Sequence, residues 1–332
     1  MLVVLLLAAC SSGSGTNSQS SPAPSGDSAN GGSAGGNEAA QTYRVAYIAR
    51  AQSDSFAAWL ANAVRDEAEK YEDIALDVFD GQANDERVNS LIENAITNQY
   101  DVIIVQPNNG EAQRPYVEKI VEAGIFAITT NPRISGIEGA SSVDASPYLQ
   151  AAVNAREAVK QVPENAKVVV LNGPPGNFHA DERRRSWQEE FFDKRPDVEI
   201  VGEQIANWNK DEAMRHMEDW VQSNDRIDAV ISMNDNMAAG AIEVVKNDPK
   251  FDDMLVYGVD GTAEALLLIQ EGRMTSTTLQ NAFELAEKLL DTSHKLLTGE
   301  IDQIDTDIGN PLITKDNVDE FIALLREAGE IE

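Results

Sequence analysis

Residues 43–80 read YRVAYIARAQSDSFAAWLANAVRDEAEKYEDIALDVFD, and this stretch decides the fold class. It begins and ends with short apolar runs, YRVAYIA and IALDVFD, of the kind that form buried β-strands. Between the runs, apolar side chains recur at helical spacing, at Phe56, Leu60, Ala63, Val64 and Ala68. A strand, a helix and a second strand with short connections predict a βαβ unit, with parallel strands and a right-handed crossover.

The same alternation continues along the chain. Strand-like runs such as DVIIVQP and IFAITTN alternate with helical patterns as far as residue 131. After ASSVDAS the alternation starts again and runs through AKVVVLN, IDAVISMN and MLVYGVD. Because the whole series is longer than one such sheet usually holds, the sequence predicts an α/β protein with two similar doubly wound lobes, each built on a parallel sheet.

The charge of the chain restricts its partners. The 332 residues carry a formal net charge of −30, from 56 acidic and 26 basic side chains. A polyanion repels nucleic acid, so no nucleic-acid partner is expected, and the three consecutive arginines at 183–185 are not interpreted as a basic patch. A solubilising surface is the preferred explanation of the acidity, and adaptation to high salt stays open.

The first ten residues, MLVVLLLAAC, resemble the signal of bacterial lipoproteins, in which a Leu-Ala-Ala-Cys box is cleaved and the cysteine is lipidated. The apolar run is too short to span a bilayer as a helix. Cys10 is therefore the predicted lipidation site, with a chance cysteine as the alternative. It is the only cysteine of the chain, which excludes an intrachain disulfide and a cysteine-based metal site. Residues 11–42, rich in Ser, Gly and Asn, are predicted to form a disordered tether.

Polar and aromatic residues gather where the predicted strands end. Open parallel sheets place ligands at the carboxyl ends of their strands. The candidates at these ends are Asp54, Phe56, Asn131, Asn177, His179, Arg183, Trp208, Asn234, Asp260 and Gln280. Carboxylates, amides and a guanidinium complement hydroxyl groups, which both donate and accept hydrogen bonds, and aromatic rings cover apolar C–H faces. This set predicts a site for a neutral polyhydroxyl ligand.

Each candidate also has a simpler interpretation. An Asn or Asp that opens a helix is usually an N-cap, and a single Trp such as Trp208 usually packs in a core. The concentration of candidates at strand ends favours a site. Catalysis is not expected, because the chain lacks HExxH, GxSxG and GxxxxGK[ST] strings, although Asp54 and Asp260 could pair for glycosidase-like chemistry. His216 and His294 are predicted surface or packing residues, and no metal or cofactor is expected.

Five strings carry a resemblance to a known family: SDSFAAWLANAVRDEA, NGPPGNFHADERRRSWQEEF, NWNKDEAMRHMEDW, ISMNDNMAAGAIEVV and VYGVDGTAEALLLIQEG. From Tyr43 onward the chain resembles the type I periplasmic sugar-binding proteins of ABC transporters, especially the glucose/galactose branch and ribose-binding protein. The resemblance implies sugar contacts at Asp54, Phe56, Asn131, Arg183, Trp208, Asn234 and Asp260. It also implies a sugar ring sandwiched between Phe56 and Trp208, and an amide, Gln280, near the hinge.

Two departures from the galactose branch qualify the resemblance. Asn177 and His179 stand where that branch carries a His and an Asp, which alters the hydrogen bonds offered to one end of a sugar. The short VPENA segment before KVVVL lacks the alternating oxygen ligands of that branch's calcium loop. The ligand is therefore predicted to be a monosaccharide, a glucose- or galactose-like hexose or a related sugar, with a polyol such as inositol as the alternative, and no calcium is expected.

The resemblance also implies how the chain is divided. It predicts an N-terminal lobe of residues 43–144 plus 282–305 and a C-terminal lobe of residues 145–281 plus 306–332. Three crossings, near 143–146, 279–282 and 305–308, would form a hinge that closes the lobes on the ligand.

The same resemblance implies where the protein works and with which partners. It predicts a monomeric receptor, lipid-anchored on the extracytoplasmic face of the bacterial membrane, that serves an ABC permease and its ATPase. A sensor that presents its sugar to a chemoreceptor or histidine kinase is the alternative. A sugar-responsive repressor is disfavoured because the N-terminus carries a lipid signal instead of a helix-turn-helix.

Overall fold

The computed structural model describes residues 42–331. The predicted signal and lipidation site, residues 1–10 with Cys10, and residues 11–41 of the predicted tether lie outside the described residues. Within the described part, none of the helices combines the length and the apolar character needed to cross a membrane. Two six-stranded sheets organise the described chain as two α/β lobes.

The first lobe is built on a fully parallel sheet. Its strands are β1 (Tyr43–Ala49), β2 (Ile74–Asp80), β3 (Val102–Val105), β4 (Phe126–Thr129), β5 (Ala140–Ala145) and β11 (Asp305–Ile308), in the spatial order β2-β1-β3-β4-β5-β11. The helices of this lobe are α1 (Ser55–Ala68), α2 (Asp85–Thr97), α3 (Gly110–Glu122) and α9 (Ala282–Leu297). The first β1–α1–β2 unit is the one predicted from residues 43–80.

The second lobe repeats this plan. Its strands are β6 (Lys167–Asn172), β7 (Glu199–Ile205), β8 (Ala229–Ser232), β9 (Leu255–Tyr257), β10 (Ser276–Thr278) and β12 (Leu312–Thr314), in the order β7-β6-β8-β9-β10-β12. Edge strand β12 runs antiparallel to β10, and the other pairs are parallel. The helices are α4 (Pro147–Gln161), α5 (Phe178–Trp187), α6 (Lys210–Ser223), α7 (Asp235–Val245), α8 (Ala263–Gln270) and α10 (Val318–Glu327).

Burial follows the sequence periodicity that predicted these elements. Five consecutive residues of β1, from Val45 to Ala49, are buried, as expected for a strand covered on both faces. In α1 the apolar positions Phe56, Leu60 and Val64 are buried at helical spacing. Burying each such side chain contributes about 1.5–3 kcal/mol. The apolar stripe of α1 therefore holds this helix on the sheet and fixes the position of the loop that precedes it.

The chain passes between the two sheets three times, between β5 and α4, between β10 and α9, and between β11 and β12. The third crossing differs from the prediction. Residues 305–308 pair with β5 and belong to the first sheet, whereas 306–332 had been assigned to the second lobe. Strand β11 has the sequence DTDI, with two of its four residues exposed and no apolar run, so its composition carries no signal for either sheet.

Candidate functional site

A cavity lies between the two lobes, where the carboxyl ends of their strands meet. Its empty space is small, about 270 Å³ even with the open mouth included. The first lobe contributes Arg50, Phe56, Asn131 and Pro132, and the remaining lining residues are Asn177, His179, Arg183, Trp208, Asn234, Asp260 and Gln280. Nine of the ten predicted site residues line this cavity.

Asp54 is the predicted residue that lies behind the lining. One of its oxygens accepts the backbone N–H of Ala57 at 2.9 Å and so caps α1. The same oxygen lies 2.8 Å from the guanidinium of Arg50, which lines the cavity. The sequence analysis missed Arg50 although it directly follows β1. The rule that identified the other strand-end residues applies equally to this position.

The N-cap interpretation holds for two residues that also line the cavity. The side-chain oxygen of Asn177 accepts the N–H groups of His179 and Ala180 at the start of α5, and that of Asn234 accepts the N–H of Met237 at the start of α7. The amide nitrogen of Asn177 reaches the first lobe, where it donates to the Asn108 carbonyl at 3.3 Å. Capping uses one atom of each amide, so it is compatible with a role in the cavity.

Arg183 is the centre of a buried hydrogen-bond network. Its Nε and Nη2 donate to Oε1 of Gln150 at 3.0 and 2.8 Å, and its Nη1 donates to the Met233 carbonyl at 2.7 Å. Nη2 also lies 3.3 Å from both Asp260 Oδ1 and Gln280 Oε1. The sequence analysis missed Gln150, because this side chain comes from the first turn of α4 and follows no strand. Through it and Gln280, the guanidinium is bonded to residues beside two of the three crossings.

Asp260 is held under strain. Its backbone φ is 127°, in a region that side chains other than glycine rarely adopt. Burial raises the pKa of Asp260 well above its usual range; Arg183 opposes this shift, while the neighbouring Asp235 and Asp54 carboxylates reinforce it. Its long contact with Arg183 therefore leaves the Asp260 carboxyl incompletely compensated, and a hydroxyl donor in the cavity would stabilise its charged form.

The two aromatic rings of the prediction come from opposite lobes. Phe56 and Trp208 are 2% and 5% exposed, and both line the cavity. Trp208 has a φ of +61° and packs against Gly173, so closely that a Cβ at position 173 would lie 2.3 Å from two carbons of the indole. The Arg183 guanidinium lies 5.7 Å from the ring centroid. The ring is thus fixed from several sides with its edge in the cavity wall.

Three polar atoms of the site region are unsatisfied. Among residues 42–331, Asp54 Oδ2, Asn131 Nδ2 and Trp208 Nε1 are buried without a hydrogen-bond partner from the protein. Buried polar atoms are nearly always paired, because an orphaned group costs roughly 1–3 kcal/mol. Asn131 and Trp208 line the cavity, where a ligand would supply the partners that their nitrogens lack.

The ring nitrogens of His179, a predicted ligand-binding residue that lines the cavity, contact two other side chains. Its Nε2 lies 3.1 and 3.2 Å from the two oxygens of Asp144, and its Nδ1 lies 3.5 Å from Arg183. Burial lowers the pKa of His179 below its usual value, against the opposing charge of Asp144. A neutral ring that donates Nε2–H to Asp144 satisfies these contacts.

The buried neutral His179 predicts a pH effect on stability. Its folded-state pKa is depressed, so below about pH 6.5 the unfolded chain binds a proton that the folded chain does not. As the pH is lowered below about 6.5, the unfolding free energy of the wild type should therefore decrease relative to that of His179→Gln. The decrease should be up to about 1.4 kcal/mol for each pH unit. Urea unfolding followed by circular dichroism between pH 7.5 and 5 measures this difference.

Titratable groups that the two proteins share contribute alike to both stability curves, so their contributions cancel in the difference. One such group is Asp235, whose burial raises its pKa to about 6. His216→Gln is the control, since His216 lies on α6, away from the cavity, and bonds to the Ile205 carbonyl of β7. Parallel stability curves for the wild type and His179→Gln would contradict the assignment of a neutral buried ring.

The other histidines and the possible metal ligands add no second site. His216 stacks on Trp220, and His294 lies 3.4 Å from Asp73 and against Tyr71. These are surface and packing contacts. Over the described residues, no group of three or more His, Cys, Asp or Glu side chains is arranged to hold a metal ion.

Comparisons with known proteins agree with this architecture. The family model "Periplasmic binding protein domain" matches residues 45–301. A putative rhizopine-binding protein of Rhizobium meliloti is 29% identical over 81% of this chain and 89% of its own length. A D-apiose import binding protein of Paraburkholderia graminis is 32% identical over 77% of this chain and 81% of its own length.

A solved structure is similar over nearly the whole described chain. It is an ABC transporter solute-binding protein of Bacillus halodurans with bound myo-inositol, with a TM-score of 0.80, 27% identity, and coverage of 86% of this chain and 98% of that one. The two-lobed fold and the family match indicate the same protein family. This chain belongs to the type I periplasmic sugar-binding proteins.

Proposed function

We propose that this protein is the extracytoplasmic receptor of an ABC importer, and that it binds a small neutral sugar or cyclic polyol between its lobes. The observation that carries the proposal is the set of nine predicted residues that line one interlobe cavity. Asn131 and Phe56 come from one lobe, and Trp208 and Asp260 from the other. A ligand in contact with both sides favours the closed arrangement over an open one.

The charges of the site favour a neutral ligand. Arg50 is paired with Asp54, and Arg183 lies beside Asp260. Both guanidinium groups are thus matched by carboxylates, and neither needs an anionic ligand. Each charged group offers the strong hydrogen bonds that hydroxyl groups complement. Among sugars of similar size, those bearing a carboxylate are therefore disfavoured, because a further negative charge would face Asp260.

The size of the cavity and the residues of its wall favour a ligand that contains a single ring. A cavity of about 270 Å³ suits a monosaccharide or inositol better than an oligosaccharide. Phe56 and Trp208 provide apolar surface for the C–H face of such a ring. The relatives are named for binding rhizopine and D-apiose, and the similar structure holds myo-inositol. A glucose- or galactose-like hexose and an inositol-like polyol are the two candidates.

Location and partners follow from the family and the N-terminal sequence. Cys10 would carry the lipid, residues 11–42 would form the tether, and the receptor, as a monomer, would deliver its ligand to a permease driven by an ATPase. A sensory role with a chemoreceptor or histidine kinase is the second candidate, because it would use the same binding chemistry. No enzymatic activity is proposed: Asp54 is engaged by Arg50 and the N-terminus of α1, and the relatives are named as binding proteins.

Titration calorimetry of the purified protein against a matched panel tests the ligand class. The panel contains glucose, galactose, ribose, myo-inositol and xylitol, with glucuronate as the charged counterpart of glucose. At least one neutral member is expected to bind with micromolar or tighter affinity, and glucuronate at least about tenfold more weakly than glucose if glucose binds. Preferential binding of glucuronate would contradict the neutral-ligand argument, and binding of no member would contradict the proposed function.

A further inference from the structure

Asp235 lies behind the wall of the cavity and is 1% exposed. It is the first residue of α7 and follows Asn234, which lines the cavity. Its Oδ2 accepts the backbone N–H groups of Gly261 and Thr262 at 2.7 and 2.9 Å. Its Oδ1 accepts the hydroxyl of Thr277 at 2.6 Å. One buried carboxylate is therefore bonded at three points to the end of β10 and to the loop at 258–262.

That loop carries Asp260 in its strained conformation. Such a backbone conformation persists only when the surroundings impose it. The N–H groups that Asp235 accepts belong to the two residues directly after Asp260, and the Asp235 N–H donates to the Val259 carbonyl directly before it, at 2.8 Å. The contact is close, since a Cβ at Gly258 would lie 2.4 Å from Asp235 Oδ1. Asp235 is thus hydrogen-bonded to the backbone on both sides of Asp260.

We propose that Asp235 is a positioning residue of the ligand site, which holds the backbone of Asp260 so that the Asp260 carboxylate faces the cavity and Arg183. The inference rests on the proposed function. Asp235 acts through hydrogen bonds to the loop and does not itself touch the ligand. Loss of these bonds lets the strained loop relax and moves the Asp260 carboxylate away from its place beside Arg183.

The two replacements of Asp235 separate hydrogen bonding from charge. Asp235→Ala removes the side-chain hydrogen bonds to all three residues, Gly261, Thr262 and Thr277. Asp235→Asn keeps the shape: its oxygen can accept the N–H groups of Gly261 and Thr262, and its NH₂ can donate to the hydroxyl of Thr277, which also accepts. A positioning role therefore predicts that alanine weakens binding and that asparagine rescues it. A loss of folded protein would lower the fraction of protein that binds, whereas a displaced Asp260 would lower the affinity of the protein that is folded.

The experiment is calorimetry of each variant with the neutral panel member that binds the wild type most tightly, together with the thermal midpoint of the ligand-free protein. Asp235→Ala is expected to weaken affinity at least tenfold, and Asp235→Asn to stay within about threefold of the wild type. Thr277→Val, which removes one of the three bonds, is expected to weaken affinity about threefold. Asp248→Ala is the control, because Asp248 also caps a helical turn of this lobe, at Lys250, but is exposed.

Wild-type affinity in Asp235→Ala, or equal losses in the alanine and asparagine variants, would overturn the inference while leaving the proposed function intact. If Asp235→Ala does not fold, Thr277→Val decides, and an unchanged affinity in that variant overturns the inference. A wild type that binds no panel member is a distinct result, which removes the proposed function and this inference with it.

Discussion

Replacing Arg183 by methionine is expected to weaken ligand binding at least about a hundredfold. The buried guanidinium is shared by Gln150, the Met233 carbonyl, Asp260 and Gln280. Its removal leaves acceptors unpaired and leaves Asp260 without its nearest cation. Hydrogen bonds to charged groups contribute about 1.5–3 kcal/mol each, and a hundredfold loss corresponds to about 2.7 kcal/mol. Calorimetry with the tightest panel ligand measures the loss.

The neighbouring arginines provide a matched control on the same helix. Arg185 is half exposed and pairs with Glu182 and Glu189, contacts of the kind that contribute about 0–1 kcal/mol. Arg185→Met removes an identical group two residues further along α5, on a different face of the helix, and should leave affinity within about twofold of the wild type. Circular dichroism confirms that each variant is folded. A folded Arg183→Met protein with wild-type affinity would show that Arg183 has no role in binding.

Adding one methyl group at Gly173 is expected to weaken binding about as much as removing the Trp208 side chain. A Cβ at 173 would lie 2.3 Å from two carbons of the rigid indole, so the ring must move out of its place in the cavity wall. Loss of the apolar contact of one such side chain corresponds to about 1.5–3 kcal/mol, which is roughly a tenfold to hundredfold loss of affinity. Calorimetry of Gly173→Ala and Trp208→Ala measures both effects.

The double variant shows whether the methyl group acts through the ring. With Trp208 already replaced by alanine, Gly173→Ala should have little further effect, because nothing remains for the Cβ to displace. Gly110→Ala is the control, since its Cβ would meet only Ile134 Cγ1, at 3.9 Å. Additive losses in the double variant, or an unaffected Gly173→Ala protein, would show that the position of Trp208 does not set the affinity.

Local sequence patterns were sufficient to place most of the site. Strand ends follow from short apolar runs, and the carboxyl ends of parallel strands meet at one edge, so Asn131, Arg183 and Asp260 could be grouped without coordinates. Contacts between residues that are distant in sequence could not be predicted in this way. Gln150 reaches Arg183 from the first turn of an amphipathic helix, and no strand-end rule selects it. Asp54 stands at a strand end, but its pairing with Arg50 places the guanidinium in the cavity wall.

His179 shows that a partner distant in sequence determines how a side chain of the site is held. Its partner Asp144 lies 35 residues away on β5 and takes the Nε2–H. The assignment of residues 306–308 to the second lobe differs from the structure for a similar reason, because β11 pairs with β5 more than 150 residues away and has no apolar run of its own.

The positions of β11 and β12 late in the sequence affect the order in which the two lobes are completed. Each sheet is completed by an edge strand beyond residue 300, β11 in the first lobe and β12 in the second. While the chain is being synthesised, β5 therefore presents an open edge until Asp305 arrives to bond Ser142. Neither lobe can be released intact by a single cut, and neither is finished before the other is nearly complete. Each lobe gains its last strand only after most of the other lobe has been made, so the two lobes are not completed one after the other as independent domains are.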